Sequence, residues 1–219
     1  MFKMPMFFRE CGGARTVHGL IQYTDCRQQA LGIEREIILT TGGEDSMGNL
    51  LGMMHSAPPS ALQLKAHILK TILTCLRESH RTRTVFRRVG GFVYVMSVLV
   101  SMEGCLADPT PAEWQNVAPN QLLSLLHLVF NTITVAMRFE PANAKFFHQE
   151  ICLTSLCDTL RLLGCFTSAT KIDESDEVCV VLEEESTFHS LFSGNLLEPK
   201  FPEHIPQILC LLLSLSTVV

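Results

Sequence analysis

Val85-Phe86-Arg87-Arg88-Val89-Gly90-Gly91 has an earlier counterpart in Phe7-Phe8-Arg9-Glu10-Cys11-Gly12-Gly13. The offset is 78 residues (86 less 8), the same for Phe8/Phe86, Arg9/Arg87, Gly12/Gly90 and Gly13/Gly91. Each copy leads into an apolar stretch, Val17 to Ile21 and Phe92 to Val100. A weaker third copy begins at Lys145-Phe146-Phe147, lacks the glycines, runs into Ile151 to Leu163 and ends near Gly164. Armadillo and HEAT units are about 40 to 47 residues long, so this offset fits two units, with alternate units matching. The mechanics suit such a unit. A short helix closes at the glycine pair, where glycine takes a positive φ without a Cβ penalty, and the next helix leaves at a sharp angle.

Working outward, the flanking sequence has helical period. Phe92-Val93-Tyr94-Val95 is rich in strand formers, but Phe92, Val95, Met96 and Leu99 share one helical face, which predicts a helix. Ala30 to Leu39 reads as a helix with Leu31, Ile33, Ile37 and Ile38 inward and Glu34, Arg35 and Glu36 exposed, stopped by Gly42-Gly43. Met47 to His55 is a short helix ended by Pro58-Pro59. Ser60 is the expected N-cap of a strong helix that turns Leu62, Leu64, Ile68, Leu69, Ile72, Leu73 and Leu76 inward. Leu106 to Pro119 is a loop that holds Pro109, Pro111 and Trp114, the last read as an anchor packed on the adjacent helix. Asn120 is expected to cap a helix from Leu122 to Met137 that is apolar nearly all round, hence buried on several sides. Glu140-Pro141-Ala142-Asn143 reads as a turn.

The expected organisation is an all-α, armadillo/HEAT-like helical solenoid over 1–166. An acidic, proline-containing flexible segment follows at 167–206, and an apolar helix at 207–219. A buried helix with no partner after it implies that the array continues in a longer protein.

Composition narrows the function. Of 219 residues, 47% are hydrophobic and 18% charged, with a net charge of −5. That excludes disorder as the main state, and the acidic balance argues against a nucleic-acid binder that works by bulk charge. A mean hydropathy of +0.25 is high for a free-standing domain and points to apolar surface that neighbouring repeats cover. Nine cysteines, with no CxxC, predict a reducing, cytosolic setting without disulfides. Met1 to Glu10 has no apolar core of a signal peptide. Ile208 to Val219 is too short to span a bilayer, and reads as a core helix or a truncated tail anchor.

Catalytic and metal signatures are sparse. His148 and Cys152 lie four apart, with Cys157 and Cys165 downstream, but a closed zinc site needs four ligands, usually in tight pairs. No G-x-S-x-G, H-E-x-x-H or G-x-x-x-x-G-K-[ST] occurs, and the glycine pairs read as helix caps rather than a phosphate loop. No cofactor, metal, catalytic residue or small-molecule substrate is expected. A cysteine hydrolase stays open as a rival, to be recognised by a Cys and a His converging in a cleft.

Charge is segregated. Arg77, His80, Arg81, Arg83, Arg87 and Arg88 fall within residues 77–88, near an inter-helix corner. Such a run is either a solvated face or a contact for an acidic partner or a phosphoinositide headgroup, because arginine forks match carboxylates and phosphates. Arg77, Arg81, Arg83, Arg87 and Arg88 are the candidate contacts, and a peripheral membrane module is the alternative function. Asp173 to Glu185 is acidic and reads as a solvated linker or a docking segment.

Longer words of the sequence are also distinctive. They include Phe8-Arg9-Glu10-Cys11-Gly12-Gly13-Ala14-Arg15, Cys26-Arg27-Gln28-Gln29-Ala30-Leu31, the run Met47 to Pro59, the run Leu76 to Tyr94, and Ala136-Met137-Arg138-Phe139-Glu140-Pro141-Ala142-Asn143. Over about residues 7 to 166 they resemble the large WD-repeat- and FYVE-domain-containing BEACH proteins, the Alfy-like group. The resemblance implies a slice of the long N-terminal armadillo-like region of a giant scaffold. It also implies a role in autophagy and endosomal membrane trafficking through protein–protein interaction, in the cytoplasm or on endosomal or autophagic membranes. The CxxC pairs of a FYVE finger and the Trp-Asp of a WD blade are absent, so none of the family's named sites maps onto residues here.

Overall fold

The computed structural model describes residues 12–107 and 109–164. The expected segments 167–206 and 207–219 lie outside the described residues. Among the described residues there are helices and turns but no strands. In chain order the helices are α1 (Gly13–Leu20), α2 (Thr24–Thr41), α3 (Glu44–Ser56), α4 (Leu62–Glu78), α5 (His80–Arg88), α6 (Gly91–Val100), α7 (Pro119–Met137), α8 (Pro141–Phe146) and α9 (Leu153–Leu162).

They stack in two rows. In one row α2 packs on α4 and α4 on α7; in the other α1 packs on α3, α3 on α6 and α6 on α9. The short helices α5 and α8 close the turns between rows and pack on each other. The chain therefore alternates rows, as a helical repeat array does.

The repeat read in the sequence sits at the corners between rows. Gly12 (φ 75°) and Gly90 (φ 77°) occupy the same left-handed position, one residue before α1 and α6. Between them lies a third corner, Gly42 (φ 89°) and Gly43 (φ 59°), joining α2 to α3. The offset of 78 residues thus spans two units, and Gly42-Gly43 is the intervening corner as well as a helix stop.

The fourth corner is built without glycine. Phe147–Ile151 forms a π turn, which adds one residue between the phenylalanine of this copy of the repeat and the corner. Cys152 then takes φ 61° and ψ 149°, a region close to glycine-only territory that costs other residues roughly 1–3 kcal/mol.

The phenylalanines of the repeat form the core behind these corners. Phe86 meets Phe92 edge-to-face at 5.2 Å between centroids. Phe92 in turn contacts Phe147 at 5.6 Å and stacks on Phe146 at 5.9 Å. Gly91 is glycine for a steric reason, since a Cβ there would lie 2.4 Å from the Phe86 ring.

α4 and α7 form the centre of the stack. Ile68, Leu69, Ile72 and Leu76 on α4 are fully buried, as are Leu126, Val129, Phe130 and Ile133 on α7. Each such side chain contributes roughly 1.5–3 kcal/mol relative to exposure. Among the described residues α7 is the helix long and apolar enough to cross a membrane, but more than half of it is buried inside the stack. Trp114 is buried, with Nε1 donating to the Glu103 carbonyl at 3.1 Å, so it anchors the loop before α7.

Several expectations are corrected. On α2, Glu34 is buried and Ile33 is 45% exposed, the reverse of the hydropathy reading. Glu34 lies four residues from both Ala30 and Ile38, so the helical phase carries it inward whatever its charge. Ser60 is not the cap of α4. Ala61 holds that position with no side-chain bond, and the Ser60 carbonyl accepts from the Leu62 N–H. Asn120 is not the cap of α7 either. Pro119 begins the helix behind Ala118, because its fixed φ suits a first helical residue. Glu140–Asn143 is not a free turn: Glu140 precedes α8 and Pro141 starts it, by the same rule.

Candidate functional site: the arginine corner

α4 ends at Glu78 and α5 begins at His80, with Ser79 extended between them. Buried Thr82 fixes this junction, its hydroxyl lying 2.7 Å from the Cys75 carbonyl and 2.6 Å from that of Ser79. Arg77 lies in the last turn of α4 and the other arginines on α5, and the structure divides them.

Arg83 belongs to the fold. Its Nε donates to the Leu76 carbonyl at 3.0 Å and its Nη1 to the Arg138 carbonyl at 2.6 Å. Those carbonyls lie at the C-terminal ends of α4 and α7, where helices leave acceptors unpaired and favour positive charge. Arg87 belongs to it too, with Nε donating to Asn143 Oδ1 at 3.0 Å. Asn143, itself buried, donates through Nδ2 to the Arg83 carbonyl at 2.9 Å and the Ala136 carbonyl at 2.8 Å. Arg83, Arg87 and Asn143 thus stitch α4, α5, α7 and α8 together. Arg88 pairs with Glu44 at 2.8 Å, both partly exposed. His80 Nδ1 lies against the Glu140 carboxylate.

Arg77 and Arg81 remain. Both are exposed, and neither side chain has a hydrogen bond or ion pair among the described residues. The Arg81 guanidinium lies over Gly42, in the space a side chain there would fill. It lines a cleft of about 520 Å³ with Thr41, Gly43, Glu44, Asp45 and Arg88. The lining mixes both signs of charge, so this cleft is not a dedicated anion pocket.

Sequence reasoning missed Phe139. It is 81% exposed at φ 59°, an outlier conformation for a bulky residue, and the Arg138 guanidinium stands 5.2 Å from its ring. The bonds from Arg83 to Arg138 and from His80 to Glu140 hold this segment against α5.

No group of three or more His, Cys, Asp and Glu residues suited to a metal ion occurs among the described residues. His148 and Cys152 share only a weak thiol contact to the His148 carbonyl, 3.3 Å. Cys75 and Cys105 are buried, and burial pushes the Cys75 thiol up to about 12, far from a reactive thiolate.

Comparison with known proteins agrees with this architecture. Residues 54–193 match the family model of armadillo-like repeats. The chain is 30% identical over 155 residues to the WD repeat- and FYVE domain-containing protein 4 of Homo sapiens, covering 68% of this chain and 5% of that protein. It is 31% identical over 131 residues to the protein of the same name from Mus musculus, covering 60% of this chain and 4% of that one. The chain therefore spans about one-twentieth of the length of these relatives. No solved structure matches it. With two rows of helices turning at repeated corners, and a family match over more than half its length, the chain belongs to the armadillo-like repeat family.

Proposed function

We propose that the chain is a non-enzymatic scaffold segment that holds partner proteins in autophagy and endosomal membrane trafficking, in the cytoplasm or on endosomal or autophagic membranes. The observation that carries this reading is the free part of the arginine corner. Arg77 and Arg81 make no hydrogen bond or ion pair among the described residues, and Phe139 stands exposed on a strained backbone in the segment that Arg83 and His80 hold against α5. Arginine and aromatic side chains dominate binding energy at protein interfaces, and strain concentrates where a segment is held for a purpose. An acidic segment with an apolar residue is the partner chemistry this corner fits.

The test is quantitative proximity labelling in cells with the full-length parent protein, wild type against R77E/R81E/F139A. A drop of about tenfold or more in specific partners is expected, since two or three hot-spot contacts exceed the roughly 1.4 kcal/mol that tenfold requires. An unchanged partner set would sink the proposal.

The alternative, a phosphoinositide-binding module, is weakened by the division of the arginines. A basic residue near an anionic membrane is worth about 1 kcal/mol, so two free arginines supply about 2 kcal/mol, too little for stable attachment. Flotation with anionic vesicles that is lost in R77E/R81E would reverse this preference.

A further inference from the structure

Lys65 is the anomaly of α4. It lies on the buried face between Leu62 and Ile68, and is only 2% exposed. Lysines that merely cover apolar surface keep their stems down and their ammonium groups in water; here the ammonium is buried as well. Its Nζ donates to Ser101 Oγ at 2.9 Å. The Ser101 proton is already committed to the Val98 carbonyl at 2.7 Å, so Ser101 acts toward Lys65 purely as an acceptor. An ammonium has three donors. Among the described residues the other two have no hydrogen-bond partner, and no carboxylate forms an ion pair with this group. Burial holds Lys65 below the ordinary lysine range.

The side chain lines a cavity of about 290 Å³ with Met54, His55, Ser97, Val98, Val100 and Ser101. That is close to the lower bound, roughly 300 Å³, for pockets that hold small molecules. Ser97 Oγ lies 2.7 Å from the Tyr94 carbonyl and 3.0 Å from His55 Nδ1, so its one proton is spent on one of these two partners. Neither hydroxyl therefore has a proton left for a ligand. The lining that remains is one fixed cation with two unpartnered N–H donors, the His55 ring, and the apolar side chains of Met54, Val98 and Val100.

We propose that this cavity binds a carboxylate carried on a short aliphatic body. The carboxylate oxygens accept the two free N–H groups of Lys65, and the alkyl part lies against Met54, Val98 and Val100. A single negative charge matches the single fixed cation, whereas a phosphate dianion would bring a second charge with no fixed partner. The carboxylate comes either from a free small acid or from the C-terminus of a peptide, and the two share this chemistry.

The experiment uses the 219-residue chain labelled with ¹³C-lysine, titrated with sodium pentanoate and, as the neutral counterpart, pentanamide. Lys65 Cε is expected to shift saturably with pentanoate and to bind pentanamide at least about tenfold more weakly, as loss of one buried charge-assisted bond implies. Saturation-transfer signals of pentanoate read binding in the variants. K65M is expected to stay folded, since replacing a buried unpaired charge by an apolar residue of similar size is neutral or stabilising, and to lose pentanoate binding. S101A is expected to keep binding within about threefold, because the ligand then supplies the partner that Ser101 did. N-acetylvaline that binds tighter than pentanoate, with N-acetylvalinamide inactive, assigns the source to a peptide C-terminus; the reverse order assigns it to a free acid. The absence of saturation, an equal response to pentanamide, or undiminished pentanoate binding by K65M would overturn the proposal.

Discussion

Replacing Asn143 by alanine tests how the corner is held. The side chain donates to the Ala136 and Arg83 carbonyls and accepts from Arg87 Nε, all between 2.8 and 3.0 Å, in a residue that is 1% exposed. α7 stops at Met137, and the Glu140 N–H that a longer helix would give to Ala136 goes to the Met137 carbonyl instead, at 2.9 Å. N143A therefore leaves a buried carbonyl without its side-chain donor, at a cost of about 1–3 kcal/mol. The bonds to Arg83 and Arg87 add about 0.5–1.5 kcal/mol each. Together these come to about 2–6 kcal/mol, and at roughly 2–4 °C per kcal/mol for a chain of this size the midpoint should fall by at least about 4 °C. N143D should be no better, since a carboxylate keeps the bond from Arg87 but offers no donor to the two carbonyls. The assay is thermal unfolding followed by far-ultraviolet circular dichroism, repeated with R87M and R87M/N143A to measure their coupling. An N143A midpoint within about 2 °C of wild type would refute the reasoning, because loss of three hydrogen bonds, one buried and two partly buried, should not be that mild.

Three further outcomes are expected from the structure. C152G should raise the melting midpoint by about 2–4 °C, because relief of the strained φ of 61° outweighs the roughly 1 kcal/mol entropy cost of a glycine; an unchanged or lower midpoint would remove the strain argument. G91A should destabilise by about 1–3 kcal/mol in urea unfolding, since its Cβ would meet the Phe86 ring at 2.4 Å. Glu34 sets a pH dependence. Burial raises its carboxyl above the ordinary range, so the folded chain holds the proton more tightly than the unfolded one, and stability is lost as pH rises through the folded value. E34Q should therefore melt higher than wild type at pH 8, and the gap should narrow toward pH 4.5; a gap that widens on acidification would contradict the assignment.

Much of this fold is legible in the sequence because its corners demand particular residues. Gly12 and Gly90 must reach positive φ, and Phe86 must pack against Gly91, so the repeated word survives in the amino acids. The helical period located α4 and α7 for the same reason, since their buried faces admit few polar groups. What the sequence hid were polar residues with inward roles. Glu34 and Lys65 look like surface charges, and only the phase of α2 and α4 places them in the core. Asn143 follows a proline and reads as turn chemistry, but the first turn of α8 aims it at three partners. Arg83 and Arg87 look the same in sequence as Arg77 and Arg81. Which arginine meets a helix end depends on contacts across 55 and 56 residues, beyond the reach of any local pattern.

That division of the corner is the point on which the functional proposal stands, and thermal unfolding of two double variants tests it most directly. R77E/R81E should melt within about 2 °C of wild type, as substitutions at unpartnered surface residues do. R83M/R87M should melt about 5–10 °C lower, having lost three hydrogen bonds to two carbonyls and Asn143, two of them partly buried. Equal midpoints for the two pairs would contradict the separation of structural arginines from those left free for a partner.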